Sequence, residues 1–421
     1  MDAGTSGLDQ AELAKIQPIL QAALDTGGLS GIMTMIWHRG EVVQFNALGK
    51  RDVEAGLPMT RDTVFRIASM TKPVTSVAAL QLLEEGKLKL DDPITKWAPE
   101  FADMRVLNDP KSAITDINPA ARDITIDDLM THRSGIAYAF SAQGAYRDAL
   151  DNAVGNPFGV TLTPDQWMKA LGALPLITQP GSHFHYGHST DVLGIIIGRI
   201  EGMSFADVLR KRIFDPLGMS NTDFWVHPEW RPRMAGLYTH DAEANVLKRL
   251  PEVPFASAPA FAAGGQGLVS TIDDYLQFAR VMVRGGEYGG VRLLKPETAT
   301  LMRTNRLTDA QRQIPFLGMD AWWKGQGFGL GVSVIMDPAQ HMMGVGPAGA
   351  FGWPGIYGTS WQADPSTDTI LIYWVQNSSM LGGDGRAAAV AGQAPSAAGM
   401  PARIAQPLFQ RAAYAAIQKA K

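Results

Sequence analysis

The order of elements along the chain predicts an α/β protein in which one sheet domain, residues 1–88 and 290–421, is split by a mostly helical domain, residues 89–289. Three observations carry that reading. A pair of strand patterns stands near the start, strand-like segments return only beyond residue 325, and the stretch between them alternates helical periodicity with Pro/Gly loops.

Each element follows from its own residues. Near the N-terminus Leu13, Ile16, Ile19, Leu20 and Ala23 fall on one stripe, which predicts an amphipathic helix. "GIMTMIWHRGEVVQFNALGK" reads as two strands joined by a tight turn at His38-Arg39-Gly40. "SMTKPVTSVAALQLLEEGKLKLDD" reads as a helix rich in Val, Ala and Leu that stops at Gly86. The middle of the chain holds helical pieces such as "TIDDLMTHRSG", "STDVLGIIIGRIEG" and "STIDDYLQFARVMVRGG". Then come the strand patterns "FGLGVSVIM", "GIYGTSWQADP" and "TILIYWVQN". The Ala/Gly/Pro-rich "RAAAVAGQAPSAAG" reads as a mobile loop before a last helix, "IAQPLFQRAAYAAIQKA".

Composition narrows the function classes. The 421 residues suffice for one large core or two modest ones, and 46% hydrophobic with 19% charged residues is ordinary for a globular chain. A net charge of −4 gives no electrostatic reason for a nucleic-acid or anionic-membrane partner. The absence of cysteine excludes disulfides, thiolate metal ligands and a cysteine nucleophile. The start has no basic segment followed by an apolar one, and no apolar run approaches the roughly 20 residues of a membrane span. The reading is of a soluble, cytoplasmic protein, with its oligomeric state left open.

The strongest chemical signal is "SMTK", with Ser69 and Lys72 three apart. A serine hydroxyl is a weak nucleophile unless a neighbour takes its proton. If the helix begins at Ser69, this spacing puts the amine on the same face as the hydroxyl. Pro73 fits, because proline is tolerated in a helix's first turn. Ser69 then sits at the positive end of the helix dipole. A lysine buried away from other charges is driven toward the neutral amine that can serve as base. A tetrapeptide of this kind also arises by chance as a solvated lysine after a capping serine, so its context decides.

Two further stretches supply context. Tyr186, within "PGSHFHYGH", places a phenol that can relay a proton, although a half-buried loop tyrosine is the plainer reading. "FGWPGIYGTS", residues 351–360, is a Gly-rich aromatic segment whose small residues let backbone approach a ligand; an edge strand with a bulge is the plainer reading.

"SMTK", "PGSHFHYGH" and "WPG" fall in the order and rough spacing of the three motifs of the serine β-lactamase and penicillin-recognising superfamily. The chain most resembles class C β-lactamase-like proteins, and among them family VIII carboxylesterases. Further stretches carry the likeness over roughly residues 10–380: "ITIDDLMTHRSGI", "YGHSTDVLGIIIGRI", "IFDPLGMSNTDF" and "GGQGLVSTIDDYLQFARVMVRGG". The resemblance implies a serine β-lactamase-like fold, an antiparallel sheet flanked by helices plus an inserted helical domain. It also implies Ser69 as acylated nucleophile, Lys72 as base and Tyr186 as proton relay. The oxyanion hole would be the N–H groups of Ser69 and Ile356, and no cofactor is implied. His188, Trp353, Gly355 and Tyr138 are the expected substrate-binding residues, and Trp322, Trp323 and Phe140 further candidate walls.

Two departures from the superfamily pattern point away from lactams. The second motif, usually Y-x-N, is Tyr186-Gly187-His188, and the third, Lys-Thr-Gly in β-lactamases, is Trp353-Pro354-Gly355. An indole in place of a cation favours neutral esters with short or aromatic acyl groups. β-Lactamase, linear-amide or D-peptide hydrolase and acyltransferase chemistry share the same machinery, and a scaffold that has lost its chemistry is a further alternative. A dinuclear metal site on His183, His185 and His188 matches H-x-H-x-x-H but has Gly187 where the usual motif has Asp, and the later His227, His240 and His341 stand in unpromising contexts. "GHSTD" begins the G-x-S-x-G pattern of α/β-hydrolases but ends in Asp191.

Overall fold

The computed structural model describes residues 7–155, 161–241, 244, 246–251, 257–341, 345–378 and 400–419. Strand β1 (Gly31–His38) is buried along its whole length, and its alternation sets the layers. Ile32 and Ile36 face one side, where they pack with Ile16, Leu20 and Ala23 of helix α1 (Ile16–Asp25). Met33, Met35 and Trp37 face the other side and join the main core. A strand apolar on both faces needs a helical layer over each.

The N-terminal stripe forms as expected, with a break: a short turn at Gln10–Leu13 precedes α1. The β1 hairpin closes at Arg39 and Gly40, both at positive φ, in the sense that follows strand twist. It leads into β2 (Glu41–Asp52) and β3 (Leu57–Pro58). The later strands are β4 (Gln326–Phe328), β5 (Ser333–Ile335), β6 (Phe351–Gly352), β7 (Ser360–Asp364) and β8 (Thr369–Trp374). They complete one sheet in the order β4-β5-β6-β7-β8-β1-β2-β3, with every neighbouring pair antiparallel.

Two strand expectations need correction. "FGLGVSVIM" is two strands, broken where Gly331 takes a positive φ. "FGWPGIYGTS" is strand only at Phe351–Gly352, and β6 is an inner strand rather than an edge. Trp353–Thr359 is a loop, because Pro354 offers no N–H to the ladder and Gly355 turns in against Ile67.

Helix α2 (Thr71–Glu84) is buried continuously from Thr71 to Leu80, so it has no solvent face. It ends where Gly86 takes a positive φ. Val74 and Val77 share one core with Ile370 and Ile372 of the sheet and with Leu193 and Ile197 of α4 (Ser189–Glu201). Between α2 and α4 lies the short α3 (Ile126–Met130), started by a capping box of Thr125 and Asp128. Helix α5 (Ile272–Val283), placed by sequence in the helical domain, packs on β7 and β8, with the Tyr275 ring 5.6 Å from that of Trp361. The last helix, α6 (Met400–Lys419), covers the outer face beside α1. "RAAAVAGQAPSAAG" lies outside the described residues. Among those residues, no helix is long and apolar enough to cross a membrane.

Candidate active site

Ser69 stands in a single 3-10 turn, Ala68–Met70, that leads into α2, so the α-helix itself begins two residues later than the motif predicts. Ala68 holds φ at +45°, a left-handed conformation that costs a non-glycine residue about 1–2 kcal/mol. Such strain gathers where a side chain must be presented at a set angle. Ser69 is half-buried, two residues before the N-terminus of α2.

Lys72 is fully buried. Its Nζ donates to Ser69 Oγ at 3.3 Å, to Tyr138 Oη at 3.2 Å and to the Gly265 carbonyl at 2.7 Å. Three oxygens thus surround the nitrogen and fix its position. The same nitrogen lies 4.5 Å from the centre of the Tyr186 ring.

Tyr186 is buried, and its hydroxyl accepts from Trp353 Nε1 at 3.0 Å. The second and third motifs are thus joined directly, and the phenol that bonds Lys72 is Tyr138. Burial first, and then the Asp191 carboxylate, holds the Tyr138 hydroxyl well above the usual phenol range, so it stays protonated and donates to Gln266 Oε1 at 2.8 Å. Tyr138, expected to bind substrate, therefore turns its hydroxyl inward.

The loops close because two glycines leave room. A Cβ at Gly187 would stand 1.9 Å from the Ile136 carbonyl, and one at Gly265 would stand 2.6 Å from Tyr138 Oη. Gly355 does the same for the third motif, where a Cβ would meet the Ile67 carbonyl at 2.4 Å. Thr359 Oγ1 donates to that same carbonyl at 3.1 Å. Ile356 packs with Ala68, Leu237 and Tyr357, and among the described residues its N–H has no acceptor within the protein. A cavity of about 360 Å³ borders this loop on the side of α6, lined by Trp322, Trp353, Gly355, Gln406 and Gln410 among others; Ser69, Lys72 and Tyr186 do not line it.

The aromatic wall is one cluster. Tyr138, Phe184, Tyr186, Phe316, Trp323, Phe328 and Trp353 are its buried members, with Phe140 and Trp322 packed against it. Phe316 touches five of them, at 5.6 Å from Tyr186, 4.7 Å from Trp322 and 5.9 Å from each of Trp353, Phe184 and Trp323. His132, fully buried at a φ of +53°, lies 4.7 Å from the Tyr186 ring. Burial, and then the charge of Lys72, holds the His132 imidazole well below its usual range, so it packs as a neutral ring.

The three histidines of "HFHYGH" diverge. His183 is exposed and meets Ser182, His185 meets Ser141 Oγ at 3.3 Å, and His188 Nδ1 meets Asp191 Oδ2 at 2.8 Å. His188 was expected in the pocket lining. It lies instead behind Tyr138, between that ring at 4.4 Å and Trp167 at 5.2 Å. Among the described residues, no group of three His, Asp or Glu side chains is arranged to hold a metal ion. Sequence reasoning missed Asp191, Gly265, Gln266, His132, Phe184 and Phe316.

A serine and a buried lysine are thus in contact at a helix start, facing a Tyr loop and a Gly loop. The chain belongs to the Beta-lactamase family, whose model matches residues 16–394. It is 47% identical over 403 residues to Protein Rv1367c of Mycobacterium tuberculosis, covering 95% of this chain and 98% of that one. It is 32% identical over 393 residues to Esterase EstB of Burkholderia gladioli, covering 86% and 90%. Among solved structures it is similar to EstCE1, described as a hydrolase with promiscuous acyltransferase activity. That match has a TM-score of 0.77 and 27% identity, and covers 96% of this chain and 99% of the other. The resemblance read from six collinear stretches holds: the chain is a β-lactamase-like enzyme of the serine-hydrolase class.

Proposed function

We propose that the protein hydrolyses carboxylic esters with short or aromatic acyl groups through an acyl-enzyme on Ser69. The observation that carries the proposal is the contact of Ser69 Oγ with the buried Lys72 Nζ, beside a third motif that presents an indole instead of a cation.

In this reading Lys72 acts as the neutral amine: its lone pair takes the Ser69 proton as Oγ attacks the ester carbonyl, while its two N–H groups stay on Tyr138 Oη and the Gly265 carbonyl. The N–H groups of Ser69 and Ile356 receive the oxyanion, as fixed donors stabilise charge that develops only in the transition state. Collapse breaks the bond to the alcohol, whose oxygen is protonated by way of Tyr186. Water then repeats the sequence on the acyl-enzyme, with Lys72 again taking the proton. Trp353 and Trp322 supply apolar walls for an uncharged substrate. Gly355 and Tyr138 complete the expected lining from backbone and ring.

Transfer of the acyl group to an alcohol instead of water is a second reading, favoured by the acyltransferase activity ascribed to EstCE1. One set of assays separates the readings. Nitrophenyl esters of graded acyl length and a chromogenic cephalosporin are turned over by wild type and Ser69→Ala, with and without a chelator and with an added alcohol. The proposal expects ester turnover by wild type that is indifferent to chelator and lost in Ser69→Ala, with little on the cephalosporin. Full ester activity in Ser69→Ala would falsify it. An alcohol ester outweighing free acid as product moves the assignment to acyl transfer.

A further inference from the structure

We infer that Asp191 and Tyr138 are positioning residues that hold Lys72 against Ser69, an inference that rests on the mechanism proposed above. Asp191 is the third residue of α4 and is fully buried. Its Oδ1 accepts from the Gly265 N–H at 2.8 Å, and the carbonyl of that same glycine accepts from Lys72 at 2.7 Å. Its Oδ2 accepts from His188 Nδ1 at 2.8 Å and lies 3.5 Å from Tyr138 Oη, the limit of a hydrogen bond. Both acceptors that Lys72 has besides Ser69 are therefore adjoined by one carboxylate.

The arrangement suits a base that must not wander. A lysine side chain has four rotatable bonds, and Ser69 alone would fix only one direction of its ammonium. The Gly265 carbonyl and Tyr138 hydroxyl supply the other two directions. Neither would keep its place alone, since Gly265 lies in a loop and Tyr138 in another. Asp191 ties the first to α4, and the His188 ring, held on the same carboxylate, backs the Tyr138 ring at 4.4 Å. Gln266 Oε1 takes the Tyr138 proton, which leaves that oxygen's lone pair for Lys72. His188, standing where the superfamily usually has asparagine, here serves as the second partner of Asp191.

The test compares wild type, Tyr138→Phe, Asp191→Asn, the double variant and Ser69→Ala on one nitrophenyl ester. It also measures the rate at which a nitrophenyl phosphonate labels Ser69, and the melting temperature of each. Tyr138→Phe keeps the ring and its stack on Phe140 at 4.8 Å, so it folds even if Asp191→Asn does not. Misplacing a catalytic group by about 1 Å costs on the order of 100-fold, so kcat and the labelling rate are expected to fall roughly 10- to 100-fold in each variant. KM stays within about threefold, because substrate contacts are untouched. The double variant loses less than the product of the two, since both act on one nitrogen. Wild-type kcat in either single variant, or a change confined to KM, overturns the inference. Turnover by Ser69→Ala overturns the mechanism beneath it instead.

Discussion

A lysine without solvent is tolerable only if each of its N–H groups finds an acceptor, and Lys72 finds Ser69, Tyr138 and Gly265. Lys72→Met keeps the length and removes the proton acceptor. Steady-state assays should show kcat lowered by about 1,000-fold, the upper part of what a positioned base contributes. His185 offers a test in another property. Burial holds its imidazole at about 4, against an ordinary 6.5. The unfolded chain therefore binds this proton more readily, so the stability it contributes is complete above pH 6.5 and is lost as pH falls toward 4. Urea midpoints at pH 7 and pH 5 should differ less in His185→Gln than in wild type. At this scale Ser69, Lys72 and Tyr186 were legible because their motifs are linear. Asp191 was not, for it shows in the sequence only as the residue that spoils G-x-S-x-G, and its partners Gly265 and Tyr138 lie 74 and 53 residues away in loops.

Between elements, closeness depends on the absence of side chains. The loop before α4 and the loop after α3 touch at Gly187, where the Ile136 carbonyl occupies the space a methyl would need. Ser141 ties the same two loops, donating to the Tyr186 carbonyl at 2.7 Å and accepting from the Tyr138 N–H at 3.1 Å. Gly187→Ala must part them. Its expected effect is a lower melting temperature together with a loss of kcat/KM of about 100-fold, the penalty for reacting groups displaced by an ångström. A variant with wild-type kinetics would show that the contact is slack. Helix-forming composition bounded by glycine gave α2, α4 and α5 readily. The third motif misled, because a run of Gly and aromatic residues has no period that separates an edge strand from a loop held against another segment. Gly355 has meaning only beside the Ile67 carbonyl.

Across the molecule, the outer helical layer packs on the face of the sheet opposite α2, and its Gln406 and Gln410 reach the cavity beside the third motif. Phe409 of α6 is fully buried and meets Tyr373 of β8, with ring centres 6.2 Å apart. Phe409→Ala should cost about 3–5 kcal/mol in a denaturant titration, as large-to-small changes in cores do. Its kcat/KM below the melting range should match wild type; a fall would mean that the outer layer shapes the site. The order of strands, helices and strands along the chain was readable from periodicity. The sheet order was not, since the tight turn gives β1 its neighbour β2 but nothing local gives it β8. The central claim, covalent catalysis by Ser69, is tested most directly by intact-protein and peptide mass spectrometry after rapid acid quench of a nitrophenyl butyrate reaction. The account predicts one butyryl group on the peptide carrying Ser69, formed at the rate of the nitrophenol burst and absent from Ser69→Ala. A label on another residue, or turnover by Ser69→Ala, would contradict it.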